Sequence, residues 1–91
     1  MTKKPANYAS FLHYLKTRFP RADQTLADEE REKIRSTCLA SGKPASEAGL
    51  DLMIQACDEL QPNRMRALLE ILENDYHVPE HEIAQRLQEQ D

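Results

Sequence analysis

Pro62-Asn63-Arg64-Met65-Arg66-Ala67-Leu68-Leu69-Glu70-Ile71-Leu72-Glu73-Asn74-Asp75-Tyr76 is the stretch on which the fold turns. Met65, Leu68, Leu69, Leu72 and Tyr76 recur at the spacing of one face of a 3.6-residue helix. Ile71 sits at the next angular position and widens that face, so the helix has surface to cover with more than one neighbour. The spacing predicts a central helix over residues 62–76.

Upstream, Ser46 can cap a helix running to Leu60, in which Leu50, Met53, Ile54, Cys57 and Leu60 share a face. Leu52 points away from that face and is either an ordinary exposed leucine or a contact to a partner subunit. Gln61, Pro62 and Asn63 break the chain tightly between the two segments. Either Gln61 caps a helix with Pro62 at its first position, or Asn63 caps one that begins later. Residues 46–60 and 62–76 therefore read as an αα-hairpin.

Two helices precede the hairpin. Asn7 caps the first, which carries Tyr8, Phe11, Leu12, Leu15 and Phe19 on a narrow stripe and must end before Pro20. Thr25 with Asp28 resembles a capping box, which predicts a second helix to about Ser41 with Asp28, Glu29, Glu30 and Glu32 near its positive end. Glu29 can pair with Lys33, and the charge run reads as a solvated face. Ala27, Ile34 and Cys38 make a poor stripe, so this helix is expected at the edge of the bundle. Gly42 can end it in the left-handed conformation, and Pro44 prevents its resumption. After the hairpin, Pro79 can open a last helix bearing Ile83, Ala84 and Leu87, with Glu82 paired to Arg86. Residues 1–6 read as a flexible basic arm and residues 88–91 as a frayed tail. The prediction is a single all-α domain over residues 1–91, a compact bundle of four to five short helices centred on the hairpin.

Composition agrees. The chain has 91 residues, enough for one core, with two glycines, no tryptophan and a single valine, Val78. No apolar run exceeds three residues, so nothing here crosses a bilayer and no signal-peptide core follows Met1. The expected location is the cytoplasm. Cys38 and Cys57 lack CxxC spacing and read as buried, reduced thiols.

The net charge of −4 is unevenly distributed. Residues 1–45 hold nine Lys or Arg against five acids, and residues 46–91 hold three against eleven. A basic candidate surface is Lys3, Lys4, Tyr14, Lys16, Arg18 and Arg21, a composition suited to phosphate, an acidic protein surface or an anionic membrane. Lys16 and Arg18 lie on opposite flanks of the apolar stripe and do not form one basic face. An acidic candidate surface is Asp51, Asp58, Glu59, Glu70, Glu73 and Asp75. Opposite signs at opposite ends can steer association with a charged partner.

Chemistry is sparse. No nucleophile has an evident base beside it, and no glycine-rich loop is present, so no catalysis is expected. His77 and His81 are four apart, the spacing of two ligands on one helix, but Pro79 intervenes and no metal or other cofactor is expected. Leu68 to Leu87, ending in Ile83-Ala84-Gln85-Arg86-Leu87, resembles the first two helices of a helix-turn-helix unit. That resemblance implies a recognition helix to follow for reading the major groove, and the eleven acids of this half oppose DNA. The functional expectation is a small non-enzymatic adaptor or regulator acting on a protein partner. A homodimer is expected if the apolar stripes exceed what one chain covers, no membrane contact is expected, and the alternative is a nucleic-acid-associated regulator using the basic segment.

Overall fold

A computed structural model describes residues 7–89, and these fold as five α-helices with no strand: α1 (Tyr8–Arg18), α2 (Gln24–Ser41), α3 (Ala45–Asp58), α4 (Pro62–Asn74) and α5 (Glu80–Gln88). The all-α bundle is thus observed. Residues 1–6, with Lys3 and Lys4, lie outside the described residues, as do residues 90 and 91. Of the expected frayed tail, Gln88 still closes α5.

Local chemistry sets the boundaries. The Asn7 side chain accepts the Ser10 N–H at 3.1 Å and starts α1 as expected. In α2 the cap is Asp23, whose Oδ1 accepts the Leu26 N–H at 3.1 Å, so Thr25 lies inside the helix and the Thr25/Asp28 capping box does not form. Gly42 ends α2 at φ 74°, as its sequence position foretold. Helix α3 begins at Ala45 behind Pro44 with no side-chain cap, and Ser46 is already helical. Pro62 opens α4 behind Gln61, which selects the first of the two readings of that break.

Helix α4 touches α1, α2 and α3, and α3 with α4 forms the expected hairpin. Its residues Ala67, Leu68, Leu69, Ile71 and Leu72 are fully buried. The close approach of α3 depends on Gly49, where an added Cβ would stand 2.9 Å from the Leu72 side chain. Tyr76 lies beyond the helix end and is half-buried. Arg66, 8% exposed, donates through Nε to the Phe19 carbonyl at 2.7 Å and through Nη2 to the Pro20 carbonyl at 3.1 Å, fastening the end of α1 to α4. Helix α5 seats mainly on α1 and also on α3. It therefore does not pair with α4 in the way the helix-turn-helix resemblance implied.

Four further expectations are corrected. Helix α2 packs along both α3 and α4, and Glu30 within its charge run is wholly buried, 3.2 Å from Arg64 and 3.0 Å from Lys33. Lys33 thus pairs with Glu30, one turn inward, and not with Glu29. Arg86 reaches Glu47 of α3 at 3.0 Å instead of Glu82, because α5 lies against the start of α3. Leu60 leaves the α3 stripe: its φ is 53°, its side chain is 62% exposed, and Gln61 N–H returns to the Ala56 carbonyl at 3.1 Å. That is a Schellman ending with leucine where glycine is usual.

Candidate functional site

The basic candidates do not converge. Tyr14 is exposed on α1, Arg21 is exposed in the following loop, and the Arg18 guanidinium sits 5.6 Å from the centre of the Phe19 ring. Lys16 is occupied: its ammonium lies 2.8 Å from both Glu73 of α4 and Glu80 of α5. Burial alone would lower that ammonium, but the hydrogen bonds to Glu73 and Glu80 outweigh it and hold Lys16 above its ordinary value.

Most acidic candidates are likewise engaged within the fold. Asp51 is 2.7 Å from Lys43, Asp75 is 2.8 Å from Arg31, and Glu59 is 3.2 Å from Arg64. Glu70 accepts from Gln24 at 3.4 Å, and Asp58 is exposed. The opposite signs of the two halves are therefore folded against each other, which weakens the case for two separate charged poles. Leu52 is not exposed; it is half-buried against the core. Among the described residues the exposed large apolar side chains are Tyr14, Leu39 and Leu60, scattered on α1, α2 and the α3–α4 turn. Leu50, Met53, Met65, Leu68, Leu69 and Leu72 are buried within one chain, and Ile54 and Cys57 are half-buried.

His77 lies in the turn before α5 at φ 57°, whereas His81 is in the helix, so the two share no helical face. Among the described residues no group of three or more His, Cys, Asp or Glu is placed to hold a metal ion. Neither cysteine is disulfide-bonded, and both are half-buried. Burial, with Asp58 beside it, pushes the Cys57 thiol up to about 11.

What the helices do assemble is a cleft of about 350 Å³ at one end of α2. Ile34, Cys38, Ala45 and Tyr76 give it an apolar lining, and Arg31, Arg35 and Asp75 give it charge. The sequence organises it in three steps. The last turns of α2 carry Ile34, Arg35 and Cys38; the Gly42-to-Pro44 break returns the chain so that Ala45 faces them; and Tyr76 follows α4 where Val78 N–H turns back to the Leu72 carbonyl at 2.9 Å. Arg31 is fixed by Asp75 at 2.8 Å and by Asp28 at 3.1 Å. Arg35 is different. Its side chain is 73% exposed and its ion contact, to Glu32 at 3.6 Å, is long and equally exposed. Burial, with Asp75 and Cys38 nearby, holds the Tyr76 phenol above its ordinary value.

Such a lining offers apolar contact, one exposed guanidinium and a phenol hydroxyl, and it contains no histidine. Of its residues, only Asp75 was among the sequence candidates. The signal available was slight: Cys38 and Tyr76 end their respective apolar stripes, where a stripe runs out of helix to cover it. The chain matches no family model, no curated protein and no solved structure.

Proposed function

We propose that this chain is a small non-enzymatic helical interaction protein, an adaptor or regulator that works in the cytoplasm by engaging a surface of another protein. The observation that carries this reading is the cleft between α2, the start of α3 and the turn after α4. It combines an apolar lining with an exposed cation, Arg35, whose contact to Glu32 is long at 3.6 Å, on a molecule whose other apolar stripes are largely buried and whose charges are largely paired. Binding surfaces have this mixed character, an apolar centre with a polar rim. Supporting it further, no helix among the described residues is long and apolar enough to cross a membrane.

The test is capture from the native host with and without nuclease, using the chain as it stands and its Arg35→Glu and Arg18→Glu/Arg21→Glu variants. The reading predicts a protein retained after nuclease treatment and lost with Arg35→Glu. Retention of nucleic acid alone, weakening steeply with salt and abolished by the Arg18/Arg21 reversal, would replace it with the nucleic-acid alternative.

A further inference from the structure

We infer that α5 is an exchangeable element: it leaves the α1 of its own chain and docks on the α1 of a second copy, giving a dimer by reciprocal exchange. This goes beyond the cleft and does not depend on it.

The hinge is the first argument. Helix α4 ends at Asn74 and α5 starts at Glu80, so the five residues 75–79 must carry the chain from one to the other. They do so with exposed His77 at φ 57°, a left-handed conformation in a residue that has a Cβ. Short connections under strain invite exchange, because opening relieves the strain in both copies. Opening also has a defined outcome. Pro79 holds Val78 out of the helical region, is itself extended at φ −69° and ψ 152°, and has no N–H with which to continue a helix. Once His77 leaves the left-handed region, residues 77–79 therefore run on as extended chain about 10 Å long, and α4 and α5 do not fuse.

The seat is the second argument. Helix α5 buries Ile83, Ala84 and Leu87, mainly against α1, whose buried side chains are Tyr8, Leu12 and Leu15, and less against α3; α4, which leads into it, is not a main partner. When α5 opens, apolar surface is bared on both sides, and a second copy supplies the same matching surface. Ion pairs set the register, Glu80 on Lys16 at 2.8 Å and Arg86 on Glu47 at 3.0 Å. All of these contacts reform across the dimer. What only the closed chain keeps is the Val78 N–H bond to the Leu72 carbonyl, 2.9 Å, and the burial of Val78. The monomer therefore prevails when dilute, and the dimer forms as concentration rises.

The experiment is sedimentation of the full chain, of its Lys16→Glu, Glu80→Lys and His77→Gly variants, and of an equimolar mixture of the first two, each warmed gently to open α5 and then cooled. Lys16→Glu sets a third acid beside Glu73 and Glu80, and Glu80→Lys sets a second cation beside Lys16, so each variant loses attraction between its own α1 and α5. In a mixed dimer every α5 meets a residue 16 of opposite charge. The mixture should dimerise at a concentration at least about tenfold below either variant alone. Where a single variant loses helix content, the mixture should recover it by circular dichroism. His77→Gly relieves the strain without opening, and should weaken dimerisation on the order of a hundredfold, about tenfold from each of the two hinges. A monomer at every concentration, for the mixture as for the original chain, would overturn the inference. So would a mixture that dimerises no better than its components, or a His77→Gly chain that dimerises as well as the original.

Discussion

Leu60 and Gly42 occupy the same left-handed backbone region at the ends of two helices, and only glycine is suited to it. The region costs an L-residue about 1–2 kcal/mol, and Leu60 recovers little by burial because its side chain is 62% exposed. Leu60→Gly should therefore raise stability by about 1 kcal/mol. Gly42→Ala should lower it by a similar amount, about 1 kcal/mol, through backbone strain alone, since nothing stands within 4 Å of an added Cβ there. Urea unfolding with an unchanged slope measures both. Cys57 yields a pH effect of definite sign. Burial raises its folded value from 9.0 to about 11, so the neutral thiol is the form the fold favours. The resulting stability is complete below about pH 9 and is lost as pH rises through 11. Thermal unfolding of the original chain and Cys57→Ala should differ by a constant amount near neutrality, and the gap should narrow between those values; a constant gap through pH 11 would contradict the assignment. Gly42 was legible in the sequence because Pro44 follows it. Leu60 was not, because it continues the spacing of Leu50, Met53 and Cys57, and only the tightness of the hairpin takes it out of the helix.

Between elements, the feature hidden from sequence reasoning is Glu30. It sits in a run of charges on α2 that is mostly exposed, one turn from both Ala27 and Ile34 and so on the buried face, but its partner Arg64 belongs to α4, so no local pattern reveals the pairing. The two ends of that pair are unequal. Arg64 also contacts Glu59 at 3.2 Å and Gln61 at 2.9 Å, whereas without Arg64 the wholly buried Glu30 keeps only Lys33. Its Oε1 has no hydrogen-bond partner even now. Arg64→Met should accordingly cost about 3 kcal/mol, and Glu30→Met clearly less. Chemical denaturation of the two variants gives the order, and the reverse order would show that the carboxylate is not the strained member. The apolar stripes of α1, α3, α4 and α5 were legible because their period is local. The cleft was not, since Ile34, Ala45 and Tyr76 come together only when the Gly42-to-Pro44 break and the turn after α4 are both in place.

On the scale of the molecule, the chain folds its basic first half against its acidic second half. Lys16, Arg31 and Lys43 meet Glu73, Asp75 and Asp51, and the charge asymmetry of the sequence is partly cancelled on folding. Helix α4 stands at the centre of that arrangement, with α1, α2 and α3 around it and Met65, Ala67, Leu68, Leu69, Ile71 and Leu72 buried along it. Helix α5 is the shortest, nine residues, and is held mainly by α1 and by the ion pairs of Lys16 and Arg86. Stability should therefore be graded outward from α4. Native-state hydrogen exchange tests this most directly: the amides of Leu68, Leu69, Ile71 and Leu72 should exchange only through global unfolding, with the free energy given by urea denaturation, while those of Ile83, Ala84 and Leu87 should exchange through a smaller opening. Faster exchange in α4 than in α5 would contradict a fold organised around the helix that begins at Pro62.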